Sequence, residues 1–465
     1  MGIEVGAGRK AQVVVIPFPA QGHINPALAF AKCLASKGLL VAVVITTSVA
    51  KSANFSDCAS LALHTVSDGS EHVEGTETVE AYLKRFRRNI SRNLADLMDD
   101  HMSCTRAIVY DSIMPWVLDI AKDRGLVGAC FFTQSCSASA VFHHLGQGLL
   151  LQYPYEDDAA VSLPALPPLE KRDLPSFSHM VDPDHFAVKL LTDQFSNLGR
   201  ADWIFFNTFD KLETKILEWM RSRWPITTIG PTFLLQGEAK KHSISMFEPK
   251  ADAYREWLES RDPGSVVYVS FGSFASMEKE QMAELGHALL TTGHHFLWVV
   301  LSSELEKLPP DFAATAAAAG TGLVVEWCHQ PEVLAHPAVA CFVTHCGWNS
   351  TLEGLSHGVP LVAMAQWVDQ NTNAKLVVDV WGAGAAPRRR GGDGIVGREE
   401  IAMCIERVVG GDGEGVGIRR NALRWKEMAA EAVGSGGSSD INVVDFVSKI
   451  VFDDAGDVSP SSVLA

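Results

Sequence analysis

The stretch Trp327-Cys-His-Gln-Pro-Glu-Val-Leu-Ala-His-Pro-Ala-Val-Ala-Cys-Phe-Val-Thr-His-Cys-Gly-Trp-Asn-Ser-Thr-Leu-Glu-Gly-Leu-Ser-His-Gly-Val-Pro-Leu-Val-Ala-Met-Ala-Gln-Trp-Val-Asp-Gln370 decides the reading of this chain. The apolar run Val339 to Val343 has the continuous hydrophobicity of a buried parallel strand. Thr344 to Ser350 is the turn that leads into a helix, and Pro360 to Met364 is the next strand. Polar residues therefore collect where strands end and helices begin, the edge at which an open α/β sheet binds nucleotides. A helix opening at Gly347 to Ser350 offers unpaired backbone N–H groups and the positive end of its dipole. With an imidazole (His345) and the Asn349 and Ser350 side chains alongside, the site suits a phosphate.

The same alternation extends through the chain. Gln12 to Phe18 reads as a strand, His23 to Ser36 as a helix and Leu40 to Thr46 as a second strand, a βαβ unit that requires a parallel sheet. Further strands are expected at Ala107 to Tyr110, Ala129 to Phe132 and Trp203 to Asn207, and a long helix over Thr76 to Asp99. A second series occupies Ser265 to Phe271, Phe296 to Leu301, Leu323 to Glu326, Ala340 to Thr344 and Pro360 to Ala363. At 465 residues the chain exceeds one ordinary core, so the fold class is α/β with two doubly wound, Rossmann-like parallel sheets. The polar stretch Gln236 to Ser245 reads as the linker. It separates a first domain, 1–236, from a second, 237–440, followed by a helix over 441–453 and a tail, 454–465, expected to be disordered.

A net charge of −16 argues against a nucleic-acid backbone or an anionic membrane as main partner. No apolar run reaches the length of a membrane span, and the start lacks the pattern of a signal peptide. Nine cysteines without a C-x-x-C pair fit reduced thiols, hence a cytoplasmic setting. The first strand is not followed by G-x-G-x-x-G, which sets aside a nicotinamide oxidoreductase.

The 44 residues from Trp327 to Gln370, with HCGWNS and LEG inside them, resemble the sugar-nucleotide signature of the plant family 1 UDP-glycosyltransferases. Pro17-Phe-Pro-Ala-Gln-Gly-His-Ile-Asn-Pro26 and Ser270-Phe-Gly-Ser273 match the same family, so the likeness covers nearly the whole chain. It implies the GT-B arrangement, two domains facing across a cleft, with the final helix returning to the first domain. It also implies roles. Trp327 would stack on uracil and the Cys328 backbone would read the base edge. Gln330 and Glu353 would hold the ribose. His345, Gly347, Asn349, Ser350 and Ser273 would hold the diphosphate, and Trp348, Asp369 and Gln370 would surround the sugar.

By the same resemblance Gln370 favours glucose as that sugar. No acidic pair stands where a metal would be needed, so UDP-glucose is expected as donor substrate with neither metal nor cofactor. His23 is expected as general base, kept neutral by the helix N-terminus on which it sits. Asp111 would be its orienting carboxylate, and Thr133 is a further candidate at the sugar. Phe18, Met114, Phe131, Phe132 and Thr133 to His144 are expected to line the acceptor pocket. The resemblance points to the branch that glucosylates small acids, phenolics and other hydrophobic molecules, acting as a monomer. Another UDP-sugar donor, or sugar-nucleotide binding without turnover, are the alternatives.

Overall fold

The computed structural model describes residues 11–52, 58–73, 76–102, 104–150, 160–176, 185–235, 251–273, 276–388, 394–411 and 413–452. Two parallel sheets organise them. The first contains β1 (Gln12–Ile16), β2 (Leu40–Thr46), β3 (Ala62–Val66), β4 (Thr105–Asp111), β5 (Val127–Phe132), β6 (Trp203–Phe206) and β7 (Ile226–Thr228), in spatial order β3-β2-β1-β4-β5-β6-β7. The second contains β8 (Val266–Ser270), β9 (His295–Val299), β10 (Gly322–Val325), β11 (Val339–Thr344), β12 (Leu361–Ala363) and β13 (Gly384–Ala385), in order β10-β9-β8-β11-β12-β13.

Both orders reverse direction once, between β1 and β4 and between β8 and β11. Connections leaving neighbouring strands at such a point turn to opposite faces, and the crevice left between them is where doubly wound sheets place ligands. His23 and Asp111 follow β1 and end β4; Ser273 and His345 follow β8 and β11. The topology thus brings one pair of candidates to each crevice.

Strand alternation sorts the cores. Val13 and Val15 face the helix Gln21–Ser36, whereas Val14 and Ile16 face the helices Val79–His101 and Val117–Lys122. In the second sheet Val267 and Val269 serve one face, Val266 and Tyr268 the other. The helix Ser438–Phe452 lays Val443, Phe446 and Ile450 on the first core, beside Phe30 and Phe205. Ser439 Oγ donates to Gly230 O at 2.6 Å and Asn442 Nδ2 to Thr228 O at 2.8 Å, fastening it there.

Several sequence readings need adjustment. β1 stops at Ile16, because Pro17 and Pro19 cannot supply ladder N–H groups, and the first helix begins at Gln21. The long helix runs Val79–His101, capped by Thr78 Oγ1, which accepts from Ala81 N. The short strands β3, β7 and β13 add to those expected. The proposed linker from Gln236 to Ser245 and the tail 454–465 lie outside the described residues, as does Asp453, the last residue assigned to the final helix.

Candidate active site

His23 occupies the first turn of Gln21–Ser36. Its Nδ1 lies 2.8 Å from Asp111 Oδ2 and 3.1 Å from Thr133 Oγ1. Asp111 is 2% exposed and its other oxygen accepts from Ile113 N at 3.1 Å, so the carboxylate cannot swing away. A proton on Nδ1 satisfies this arrangement and leaves Nε2 as the free acceptor. The ring packs edge-on against Phe18.

The helix N-terminus is not the only influence on the His23 pKa. Burial does pull its pKa down, but the Asp111 charge and hydrogen bond and the charge of Asp369 outweigh it, and the net direction is upward. Those carboxylates come from two distant segments, which local reading cannot weigh.

On the other side of the cleft the helix Trp348–His357 starts at Gly347 with no side-chain cap, leaving its first N–H groups unclaimed by side chains. Cys346, just before it, has φ 61, a left-handed conformation uncommon outside glycine. His345 lies flat between two glycines. A Cβ on Gly347 would stand 2.5 Å from its Nε2, and one on Gly272 3.0 Å from the ring. Burial pushes the His345 pKa down to about 4 against a smaller upward pull from the Ser270 backbone, so the ring is a neutral hydrogen-bonding group. Its Nδ1 is buried without a hydrogen-bond partner among the described residues. Ser273 follows Gly272 in the connection that leaves β8.

The structure joins Gln330, Ser350 and Glu353. Gln330 Nε2 donates to Ser350 Oγ at 2.9 Å and to Glu353 Oε2 at 2.8 Å, and Tyr268 O–H reaches Gln330 Oε1 at 3.3 Å. Burial raises Glu353 to about 7, with Gln330 pulling the other way. Half-buried Trp327 and buried Cys328 precede this cluster, and the Cys328 thiol meets Tyr268 O–H at 3.3 Å. Asn349 Nδ2 donates to Gly22 O at 2.6 Å, setting the diphosphate candidates beside His23. Asp369, raised to about 6 by burial against hydrogen bonds and the nearby His23, accepts from Asn373 at 2.9 Å. Gln370 Oε1 accepts from Gln366 N and Trp367 N, which leaves its amide N–H₂ available.

Two assignments change. Trp348 is 3% exposed and its indole N–H donates to Asn207 O at 2.7 Å. Its ring therefore serves the contact between halves, and its backbone N–H is what remains for a ligand. Met114, Phe131 and Phe132 do not line a pocket: all three are buried in the first core, with Phe132 stacked on Phe206 at 4.4 Å. A different apolar cluster, with Ile113, Phe142, Leu169 and Leu191 and with Phe18 and Val368 packed against it, reaches His23 through the Phe18 ring. Tyr268 and Asn373 were not anticipated. The spacing of Asn373 four residues after Asp369 on one helix face was the available signal.

A carboxylate–imidazole pair facing an uncapped helix N-terminus and a joined Gln330–Glu353 pair, across two doubly wound sheets, suits a nucleotide-sugar-dependent group transferase. Residues 186–392 match the family described as "UDP-glucoronosyl and UDP-glucosyl transferase", and residues 9–65 match "Glycosyltransferase, N-terminal domain". Mogroside I-E synthase of Siraitia grosvenorii is 45% identical, with 96% of this chain and 99% of that one covered. The crystal structure of Os79 from O. sativa in complex with UDP is 33% identical, with TM-score 0.84 over 94% of this chain and 100% of the other. UGT71G1 of Medicago truncatula complexed with UDP-glucose is 25% identical, with TM-score 0.81 over 95% and 99%. The chain belongs to the plant family 1 UDP-glycosyltransferases, and its fold is GT-B. It is a UDP-glycosyltransferase.

Proposed function

We propose that this enzyme transfers glucose from UDP-glucose, with inversion, to a hydroxyl or carboxyl group of a small hydrophobic plant metabolite. The observation that carries the mechanism is the 2.8 Å contact between His23 Nδ1 and Asp111 Oδ2, which leaves Nε2 as the proton acceptor. His23 Nε2 takes the acceptor proton, the oxygen attacks the anomeric carbon through an oxocarbenium-like state, and UDP departs from the opposite face. The imidazolium that forms is stabilised by Asp111 and Asp369. Charge on the departing diphosphate is met by the N–H groups of Trp348–His357, neutral His345, Asn349 and Ser350, a donor set that acts without a metal. A carboxylate acceptor is already ionised and depends less on His23.

The apolar cluster between Phe18 and Val368 supports a hydrophobic acceptor, and the UDP-glucose carried by the Medicago relative supports the donor. The nine cysteines are free thiols, eight of them buried, which suits a reducing compartment such as the cytosol. Among the described residues no helix is long and apolar enough to cross a membrane.

The test is UDP release from UDP-glucose and from other UDP-sugars, in EDTA, against acids, phenols and terpenoid alcohols. Acceptor-dependent release giving a β-glucoside is expected. With a hydroxyl acceptor, His23→Ala should cost ~10²–10⁴-fold in rate while UDP affinity stays nearly unchanged. A variant with wild-type rates removes His23 from the mechanism, and release from a different UDP-sugar alone replaces the donor.

A further inference from the structure

Asn373 stands at the meeting point of both halves and is 0% exposed. Its side chain uses both amide hydrogens and its carbonyl. Nδ2 donates to Asp369 Oδ2 at 2.9 Å and to Cys346 O at 3.0 Å, while Oδ1 accepts from Ser135 Oγ at 2.9 Å. Only this orientation works, since the flipped amide would set its oxygen against a carboxylate and a carbonyl.

Ser135 belongs to the first half and is itself fixed. Its Oγ accepts from Ala138 N at 3.0 Å as the N-cap of Cys136–Gly146. The first turn of that helix is held by the buried Glu213 carboxylate, which accepts from Cys136 N and Ser137 N at 3.1 and 2.9 Å. At the other end of the chain of contacts, Cys346 carries the left-handed backbone that aims the diphosphate helix. Such a conformation persists where surroundings over-determine it. Thr344 Oγ1 on the Cys346 N–H and Asn373 on its carbonyl do so here.

We propose that Asn373 is a positioning residue for the donor sugar. Held by Ser135 of the first half, its carboxamide fixes the Asp369 carboxylate and the Cys346 carbonyl, so the donor site reaches working geometry only when the two halves are docked. This rests on the reading of Asp369 as a contact to the donor sugar. Thr372 offers an internal control. Its hydroxyl donates to Asp173 O of the first half at 2.7 Å, so it docks the same helix without being hydrogen-bonded to Asp369 or Cys346.

The experiment compares Asn373→Asp, Ser135→Ala, Ser135→Thr and Thr372→Val in the full-length enzyme, with UDP affinity by calorimetry and kcat/KM for the donor that the wild type uses. Asn373→Asp keeps the shape and the acceptor for Ser135 but loses both donated bonds. It and Ser135→Ala should lose ~10- to ~100-fold in kcat/KM, because small misplacements of the reacting groups cost that much. UDP, which lacks the sugar, should lose less affinity than kcat/KM in both variants, since Thr344 Oγ1 still holds the Cys346 N–H, and circular dichroism should show both folded. Ser135→Thr restores the hydroxyl and should restore the rate, and Thr372→Val should melt earlier with kcat/KM retained. Equal losses of UDP affinity and kcat/KM, unchanged kcat/KM in Asn373→Asp, or a Thr372→Val loss as large as that of Ser135→Ala would each overturn the proposal. A wild type active only with another UDP-sugar would remove the glucose assignment while the variant ratios still test Asn373.

Discussion

Asp111 decides both the tautomer and the basicity of His23, and the two effects separate by pH. In the proposed mechanism the base is neutral His23, so kcat/KM should fall as pH drops through its pKa, which Asp111 and Asp369 hold above the ordinary histidine value. In Asp111→Asn one of those charges is gone and the pKa falls. The acid limb of kcat/KM should move to lower pH, while the plateau drops by ~10²-fold or more as the ring loses its orienting partner. An acid limb that stays in place would show that another group sets it. Glu353 titrates on the donor side, with burial raising it to about 7. Its carboxylate accepts best when ionised, so UDP binding should strengthen from pH 6 to 8 in the wild type. Glu353→Ala should weaken UDP binding at pH 8 by ~1–3 kcal/mol, the range for losing hydrogen bonds to a charged group, and should flatten the pH dependence seen by calorimetry.

At the scale of elements, the helix Ser438–Phe452 is tertiary in origin. Its apolar stripe has no partner nearby in sequence and finds one on the first sheet, where Phe446 lies edge-on to Phe205 and Trp203 with centroids at 5.1 and 5.4 Å. Phe446 is fully buried, so Phe446→Ala should lower the stability of the first half by ~3–5 kcal/mol. Calorimetry should show a melting transition shifted down with UDP affinity kept. The helix Trp348–His357 works in the reverse sense, since its uncapped start gives up local stabilisation in order to present N–H groups.

For the whole molecule, the halves meet through a few buried hydrogen bonds as well as packing. Trp348 Nε1 donates to Asn207 O, and Trp381 Nε1 to Leu212 O at 3.0 Å. Trp348→Phe keeps most of the ring packing on Trp381 but leaves the Asn207 carbonyl buried and unpaired. A loss of ~1–3 kcal/mol is expected, read as a lower melting temperature with UDP affinity nearly retained. An unchanged melting temperature would show that the contact contributes nothing to docking.

The sequence by itself determined the parallel α/β class and the donor strip. Its strand, turn and helix are contiguous from Trp327 to Gln370, and their chemistry lies at one strand edge. The approximate strand positions followed from continuous apolar runs, although β3, β7 and β13 are too short or too weakly patterned to stand out. Only the tertiary structure decided the rest. The direction of the His23 pKa depends on Asp111 and Asp369, which β4 and the second half deliver through space. The burial of the Trp348 ring depends on Asn207, and the role of Asn373 on Ser135. Hydrophobic periodicity records which face of an element is covered. It does not record which distant polar atom arrives there, and at a cleft between two halves that atom sets charge, orientation and reach.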